Sequence, residues 1–296
     1  MTGIKVFQCI PAYKPAVSAR QIRYLSGSGC HILLDIEDSI QDVQHPELTA
    51  ALKRKARHEL EEIIGLTPGT KFSLRINAVW HDEFQQDKYL LEKFPDRIES
   101  IFIPKVESAK DLEAFYAAVA RRYRLNLIIE TQKGIENLDE TLRSTFRSNI
   151  DHVFFGNYDY HLDNNIYPIV EQYSPDYWKI VEPIINKVES YRLKFGNSPY
   201  ADLGDQATLD FSVKKLHKLC HNDFAVMSLH KAQTRHFQNM IWNRRLSPAE
   251  MKNNPPGDYS LSIFTRYKQK GRSFSLVDKK IITPQEYLLM LKGRNG

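Results

Sequence analysis

The chain has 296 residues, 42% of them hydrophobic, and a formal net charge of +5. That is enough apolar material for a substantial core, and no break in composition divides it. One large unit is therefore expected, as in α/β barrels, which run to roughly 250 residues. No apolar run approaches the ~18 residues of a membrane span, and the first residues lack a basic stretch followed by a long apolar one. A soluble, cytoplasmic protein with no membrane partner is expected.

The positive charge suits anionic small molecules as well as nucleic acid. Its basic clusters (Lys53 to Arg57, Arg121-Arg122, Arg244-Arg245, Lys268 to Arg272) fall mostly on predicted helix faces, where such clusters are solvated surface. No helix-turn-helix, zinc-finger or RNP pattern is present, so nucleic acid is not expected as a partner. The three cysteines, Cys9, Cys30 and Cys220, show no ligand spacing and read as reduced thiols, two of them beside apolar runs.

Strands and helices alternate along the chain. Strand candidates run from Lys5 to Ile10, His31 to Ile36, Lys71 to Ile76, Ser100 to Ile103, about Leu127 to Ile129, Val153 to Phe155, Tyr191 to Phe195 and Phe224 to Leu229. Helices are predicted over Ala16 to Leu25, 47 to 64, from Ser108, from Ile135, over 176 to 193 and over Gln206 to Cys220. Ser108 with Asp111 three residues on has the form of a helix N-cap. Residues 160 to 175 read as a loop. Eight strand–helix pairs in order predict a (β/α)8 TIM barrel, with residues 1–245 as the barrel.

Residues 246–296 read as a C-terminal helical appendix. Leu246-Ser247-Pro248 opens a short helix, Asn253 to Gly257 is a linker, Phe274 to Asp278 is extended, and a last helix covers Pro284 to Leu291. Such an arm is expected to pack on the barrel mouth or on a neighbouring subunit.

A barrel carries its chemistry at the C-terminal ends of its strands. There this chain places Glu37 and Asp38, Arg75 and Asn77, Lys105, Glu130, Asp159 and His230. One charged residue after one strand means little, because loops are polar; six strand ends carrying them predict a site. Glu130 and Asp159 end successive apolar runs. If those strands are adjacent, roughly 4.8 Å apart, the two carboxylates can converge on one small cation, with Mg–O bonds of about 2.1 Å.

The order of motifs resembles the citrate lyase β-subunit and malyl-CoA lyase family of the HpcH/HpaI aldolase group. The matching pieces are Leu34-Asp35-Ile36-Glu37-Asp38-Ser39-Ile40, Arg75-Ile76-Asn77, Ile103 to Ser108, Ile129-Glu130-Thr131, Gly156 with Asp159, Leu229-His230 with Gln233, and Leu246-Ser247-Pro248. The resemblance implies a Mg2+-dependent carbon–carbon lyase, Mn2+ being a possible substitute. It would act through a stabilised enolate on a small hydroxy- or oxo-acid, free or as a CoA thioester. It further implies Glu130 and Asp159 as metal ligands, Glu37 and Asp38 acting on water beside the metal, and Arg75 holding a substrate carbonyl or carboxylate. Asn77, Lys105 and His230 would line the substrate site. Asp278 would serve as an acid/base, in some relatives within an adjacent subunit, and a homo-oligomer, trimer or hexamer, is expected.

Two mouth loops depart from the family pattern. Pro11-Ala12-Tyr13-Lys14-Pro15 stands where relatives have Pro-Gly-Ser or Pro-Gly-Thr, and Lys231 follows His230 where they have proline. These departures favour a substrate without CoA. They also motivate the contrary expectation of a non-catalytic binding or regulatory protein on a degenerate barrel. A Schiff-base aldolase using Lys105 is the nearest enzymatic alternative, set against an ion pair between Lys105 and a rim carboxylate. Tyr200 and Asp202 are further candidates for the pocket wall.

Overall fold

The computed structural model describes residues 3–120, 123–243, 260–268 and 273–294. Eight parallel strands close into a barrel in sequence order: β1 (Ile4–Pro11), β2 (His31–Asp35), β3 (Phe72–Arg75), β4 (Ile98–Ile103), β5 (Arg124–Ile129), β6 (Ile150–Phe155), β7 (Lys194–Asn197) and β8 (Phe224–Ser228). Ile4 pairs with Phe224 to complete the ring. The helices α1 (Pro15–Leu25), α2 (Thr49–Leu66), α3 (Glu83–Lys93), α4 (Ala109–Ala118), α5 (Gln132–Glu136), α6 (Leu138–Arg143), α7 (Asn157–Asp163), α8 (Pro175–Ser190), α9 (Gln206–Leu219) and α10 (Lys231–Asn243) follow the strands. This is the predicted (β/α)8 barrel.

Both faces of the strands are buried, so they read as apolar runs rather than as alternating sequence. Phe7, Leu33, Phe102, Ile128, Phe154 and Met227 fill the barrel interior, and outward-facing residues such as Leu34, Leu74, Ile101 and Leu127 pack against the helices. A string of polar side chains also lies inside: Ser73 contacts Ser100 at 2.7 Å, Asn126 donates to Ser100 at 3.1 Å, and His152 meets Asn126 at 3.0 Å. At α4, Ser108 and Asp111 form the reciprocal capping box that their spacing predicts.

Two elements differ from the sequence reading. β7 starts at Lys194 rather than Tyr191, because Tyr191 ends α8 and Arg192 takes a left-handed φ of 58° that turns the chain. Gly196 in that strand has no side chain for a spatial reason, since a Cβ would lie 2.4 Å from the Phe154 ring. Residues 160–163, read as loop, belong to α7. That short, polar stretch has little helical periodicity of its own; tertiary packing against the C-terminal arm holds it.

The arm contains α11 (Leu261–Tyr267), β9 (Ser275–Val277), β10 (Lys280–Ile282) and α12 (Pro284–Arg294). Asp278 and Lys279, with φ of 46° and 70°, form the two-residue turn between β9 and β10, the sign pattern of a type I′ hairpin. The arm docks on the barrel of its own chain. Ile281 N donates to Ala201 O and Leu203 N to Lys279 O, each at 2.9 Å, and Leu289 of α12 packs with Tyr158 of α7. The predicted helix at Leu246-Ser247-Pro248 and the linker Asn253 to Gly257 lie outside the described residues.

Candidate active site

Strand register assembles the site. Asp35 at the end of β2 is the pairing partner of Arg75 at the end of β3, and Ile129 pairs with Phe155, so Glu130 and Gly156 leave β5 and β6 at the same level. Asp159 follows in the first turn of α7. Gly156 is demanded by its neighbour: a Cβ there would lie 2.3 Å from Glu130 Oε2.

Lys105 occupies the centre. Its Nζ donates to Glu37 Oε1 at 2.7 Å and lies 3.5 Å from both Asp38 Oδ1 and Asp159 Oδ1, and 4.0 Å from Glu130 Oε1. Its backbone N–H donates to the same Glu130 oxygen at 2.9 Å. A φ of 52° aims the residue this way, a conformation that costs a non-glycine residue about 1–3 kcal/mol. Burial alone would lower the Lys105 pKa, but Asp159, Asp38, Glu37 and Glu130 together raise it well above the usual lysine range. This is an ammonium in an ion pair, which is the wrong protonation state for a Schiff-base nucleophile.

Arg75 is held by its fork. Nε and Nη2 each donate to one oxygen of Asp35 at 2.7 Å, and Nη1 donates to Asp38 Oδ2 at 3.1 Å. Asp35 is completely buried and also accepts from the backbone of Glu37 and Ser39, so it shapes the loop carrying the other two acids. Behind them, Lys53 bonds the Asn77 side-chain oxygen and reaches the Glu37 carbonyl at 3.4 Å.

The charge count favours a cation. Asp35, Glu37, Asp38, Glu130 and Asp159 surround Arg75, Lys105 and Lys53. With all five acids ionised the cluster is two positive charges short, the charge of one divalent ion; with no ion bound, burial and the Asp38 charge push Glu37 up to about 7. Without such an ion, burial first and then the Asp159 charge push Glu130 well above the carboxylate range. Burial and the Asp38 charge push Asp159 to about 6. Two carboxylates, one buried and one partly buried, brought together in this way call for a shared proton or a metal. Among the described residues no group of three or more His, Cys, Asp or Glu side chains is arranged to hold a metal. A cation held here by the described residues would therefore meet at most two such side chains. That suits an ion which is usually bound by one or two carboxylates and otherwise keeps water and substrate.

A cavity of about 370 Å³ opens over this cluster. Arg75, Asp38, Glu130, Asp159 and Gln285 line its polar side, and Met227, Leu229, Leu203, Phe274, Leu276 and Ile281 its apolar side, the last three from the arm. His230 stands at its edge, where its Nδ1 accepts from Ala232 N at 3.2 Å at the start of α10; burial and Lys231 lower its pKa.

Four expected residues lie elsewhere. Asn77 turns away from the cavity to Lys53 and to Asp87, donating to Asp87 Oδ2 at 2.8 Å, because the buried Asp87 needs donors. Asp278 sits at the exposed tip of the hairpin, outside the cavity of its own chain. Tyr200 donates to Asp205 at 3.0 Å, and Asp202 accepts from Gly204 N and Asp205 N; their neighbour Leu203 lines the cavity instead. The sequence reading also passed over Asp35 and Gln285. An aspartate within the apolar run Ile32 to Ile36 was the available signal for Asp35, since a buried charge requires a partner.

The fold and rim together define a (β/α)8 barrel with an acidic, cation-ready mouth. The chain belongs to the HpcH/HpaI aldolase/citrate lyase family, whose model matches residues 12–168. It is 30% identical over 149 residues to an L-malyl-CoA/beta-methylmalyl-CoA lyase of Cereibacter sphaeroides, a match covering 46% of this chain and 43% of that protein. The chain therefore matches less than half the length of this curated relative. Two solved structures share the fold. The citrate lyase beta subunit of Mycobacterium tuberculosis complexed with oxaloacetate and magnesium aligns with a TM-score of 0.61 at 16% identity, covering 81% of this chain and 97% of that one. A Haloferax volcanii malate synthase pyruvate/acetyl-CoA ternary complex aligns with a TM-score of 0.71 at 12% identity, covering 100% of this chain and 91% of that one. No helix among the described residues is long and apolar enough to cross a membrane.

Proposed function

We propose that this chain is a Mg2+-dependent carbon–carbon lyase, cleaving a small hydroxy- or oxo-acid or catalysing the reverse condensation. The observation that carries this reading is the pair Glu130, buried at the end of β5, and Asp159, partly buried in the first turn of α7, which meet around Lys105 Nζ in a cluster that is two positive charges short when its acids are ionised. When bound by these two carboxylates, Mg2+ would supply Lewis-acid stabilisation of the negative charge that develops on the substrate oxygen. The family match and the magnesium and oxo-acid ligands named for the M. tuberculosis structure support the same reading.

The chain's own residues do the rest. Arg75 offers five N–H donors, three of which are engaged by Asp35 and Asp38. The Asp35 fork fixes the guanidinium plane, and although Nη1 also lies 3.3 Å from Glu37 Oε2, the second N–H of Nη2 is left to take a substrate carbonyl or carboxylate oxygen. Lys105 holds Glu37 and Asp38 in place and helps keep Asp38 charged, whereas burial and the Asp38 charge push Glu37 up to about 7; Asp38, at the cavity wall, is the nearer of the two to a substrate. The described part of the C-terminal arm, residues 260–268 and 273–294, shields the reaction, its Phe274 and Leu276 excluding water from one side of the cavity. Asp278, exposed on its own chain, is the group that a neighbouring copy would receive if the protein is an oligomer.

Calorimetric titration of Mg2+, alone and with pyruvate, oxaloacetate, acetyl-CoA or malyl-CoA, tests the reading. The expected result is Mg2+-dependent binding of at least one of these ligands. A chain that binds none of them and no Mg2+ is a scaffold. Comparing the free acids with the thioesters decides whether CoA is part of the substrate.

A further inference from the structure

The acid of α7 is held from the far end of the chain. Asp159 Oδ2 accepts from Gln285 Nε2 at 2.8 Å, while Oδ1 faces Lys105 at 3.5 Å. Gln285 is itself only 5% exposed. It lies in the first turn of α12, whose start is fixed by a reciprocal pair: Thr283 N donates to Glu286 Oε2 at 2.9 Å and Glu286 N to Thr283 Oγ1 at 3.2 Å. Leu289, one helical turn on, packs with Tyr158, the residue before Asp159. Both the donor and the helix carrying the acceptor are thus clamped.

We propose that Gln285 is a positioning residue for the cation site, and that through it the docking of the C-terminal arm and cation binding are coupled. This rests on the reading of Glu130 and Asp159 as cation ligands. A carboxylate free to turn about its last bond presents its oxygens interchangeably. Once one oxygen is tied to a buried amide, the other is left pointing into the site. A neutral donor suits this task, because an arginine or lysine in its place would cancel the charge that attracts the ion. The coupling is reciprocal by linkage: what the docked arm adds to cation affinity, the bound cation returns to the docking of the arm.

Gln285→Met keeps the volume and helix preference and removes the donor. Mg2+ affinity, measured calorimetrically on the folded protein, should fall by about 10- to 100-fold, the usual cost of losing a partner that orients a metal ligand. In the wild type, Mg2+ should slow amide hydrogen exchange over residues 275–290, and in Gln285→Met this slowing should vanish. If the methionine variant does not fold, Gln285→Asn, which keeps the amide but is one methylene too short to reach, carries the same expectations. Affinity within about twofold of the wild type, or no Mg2+ effect on exchange in the arm of the wild type, overturns the proposal. Asp159→Asn separates the two levels of the argument. A wild type that binds Mg2+ no better than Asp159→Asn removes the cation reading itself. A wild type that binds, with Asp159→Asn silent and Gln285→Met unimpaired, removes only the role of Gln285.

Discussion

Glu130 and Gly156 are fitted to each other across two adjacent strands: the space a Cβ would need at residue 156 is already filled by the Glu130 side chain, at 2.3 Å from Oε2 and 2.5 Å from Cβ. The backbone of Gly156 is held as well, its N–H donating to Ile129 O at 2.9 Å. Gly156→Ala must therefore push Glu130 out of place. Forcing an atom into a packed site costs about 1–3 kcal/mol, and the displaced carboxylate should weaken Mg2+ binding by at least about tenfold. Thermal unfolding and calorimetry on the same variant check both halves; an alanine variant with unchanged Mg2+ affinity would show that Glu130 is not a ligand.

Glu130→Gln and Asp159→Asn each remove one charge from the pair while preserving shape. Both should abolish Mg2+ binding and lower turnover by at least ~100-fold. The rise in melting temperature that Mg2+ produces in the wild type by binding the folded state should disappear in both. Full metal affinity in either variant would count against the assignment.

Asp35 and Arg75 should behave as one unit. Removing the guanidinium in Arg75→Met leaves Asp35, completely buried, without its fork, a defect of about 3–5 kcal/mol. Adding Asp35→Asn should recover part of the stability but none of the activity. Chemical denaturation of the two single variants and the double variant gives the coupling energy; additive single effects would mean that the pair is not coupled.

Lys105 should make no covalent intermediate. Turnover should be lost in EDTA and restored by excess Mg2+, and borohydride added with substrate should leave the protein mass unchanged. A borohydride-trapped adduct on Lys105 would reverse the assignment of its role.

Glu171 gives stability a pH dependence that is separable from the site. It is buried, its Oε1 lies 3.8 Å from Lys280 Nζ, and Oε2 has no hydrogen-bond partner among the described residues. Burial raises its pKa to about 8; Lys280 of β10 opposes that rise, and Glu286 of α12 with Asp202 and Asp205 of the β7–α9 loop add to it. The folded pKa lies above the unfolded value, so the protonated acid favours folding. That contribution is fully present below about pH 4.3 and is lost as pH rises through about 8. Glu171→Gln, neutral throughout, should therefore raise the melting temperature relative to wild type more at pH 8.5 than at pH 5. An equal difference at both values would mean that Glu171 ionises normally.

Much of the barrel was readable because its strands are apolar on both faces and stop at charged residues. The runs Leu127-Ile128-Ile129 and Val153-Phe154-Phe155 locate β5 and β6 and place Glu130 and Gly156 at their ends, and Ser108 with Asp111 marks the start of α4. The same periodicity was silent on α7, whose seven residues are mostly polar and are held by α12. It was silent too on Asn77, which Asp87 draws away from the cavity.

What the amino-acid sequence determined by itself is the order of the elements and the end of the barrel at which the charged groups gather; the need for glycine beside Glu130 emerged only from the packing of β5 against β6. The tertiary structure alone decided which acid meets which base. Lys105 serves as a hub for four carboxylates, Asp35 orients Arg75, and Gln285 reaches Asp159 across 126 residues of chain. The physical reason is one of range. Hydrophobic period and capping are properties of neighbouring residues, whereas hydrogen bonds and ion pairs act over a few ångströms between side chains that strand register and the docking of a distant arm must first bring together.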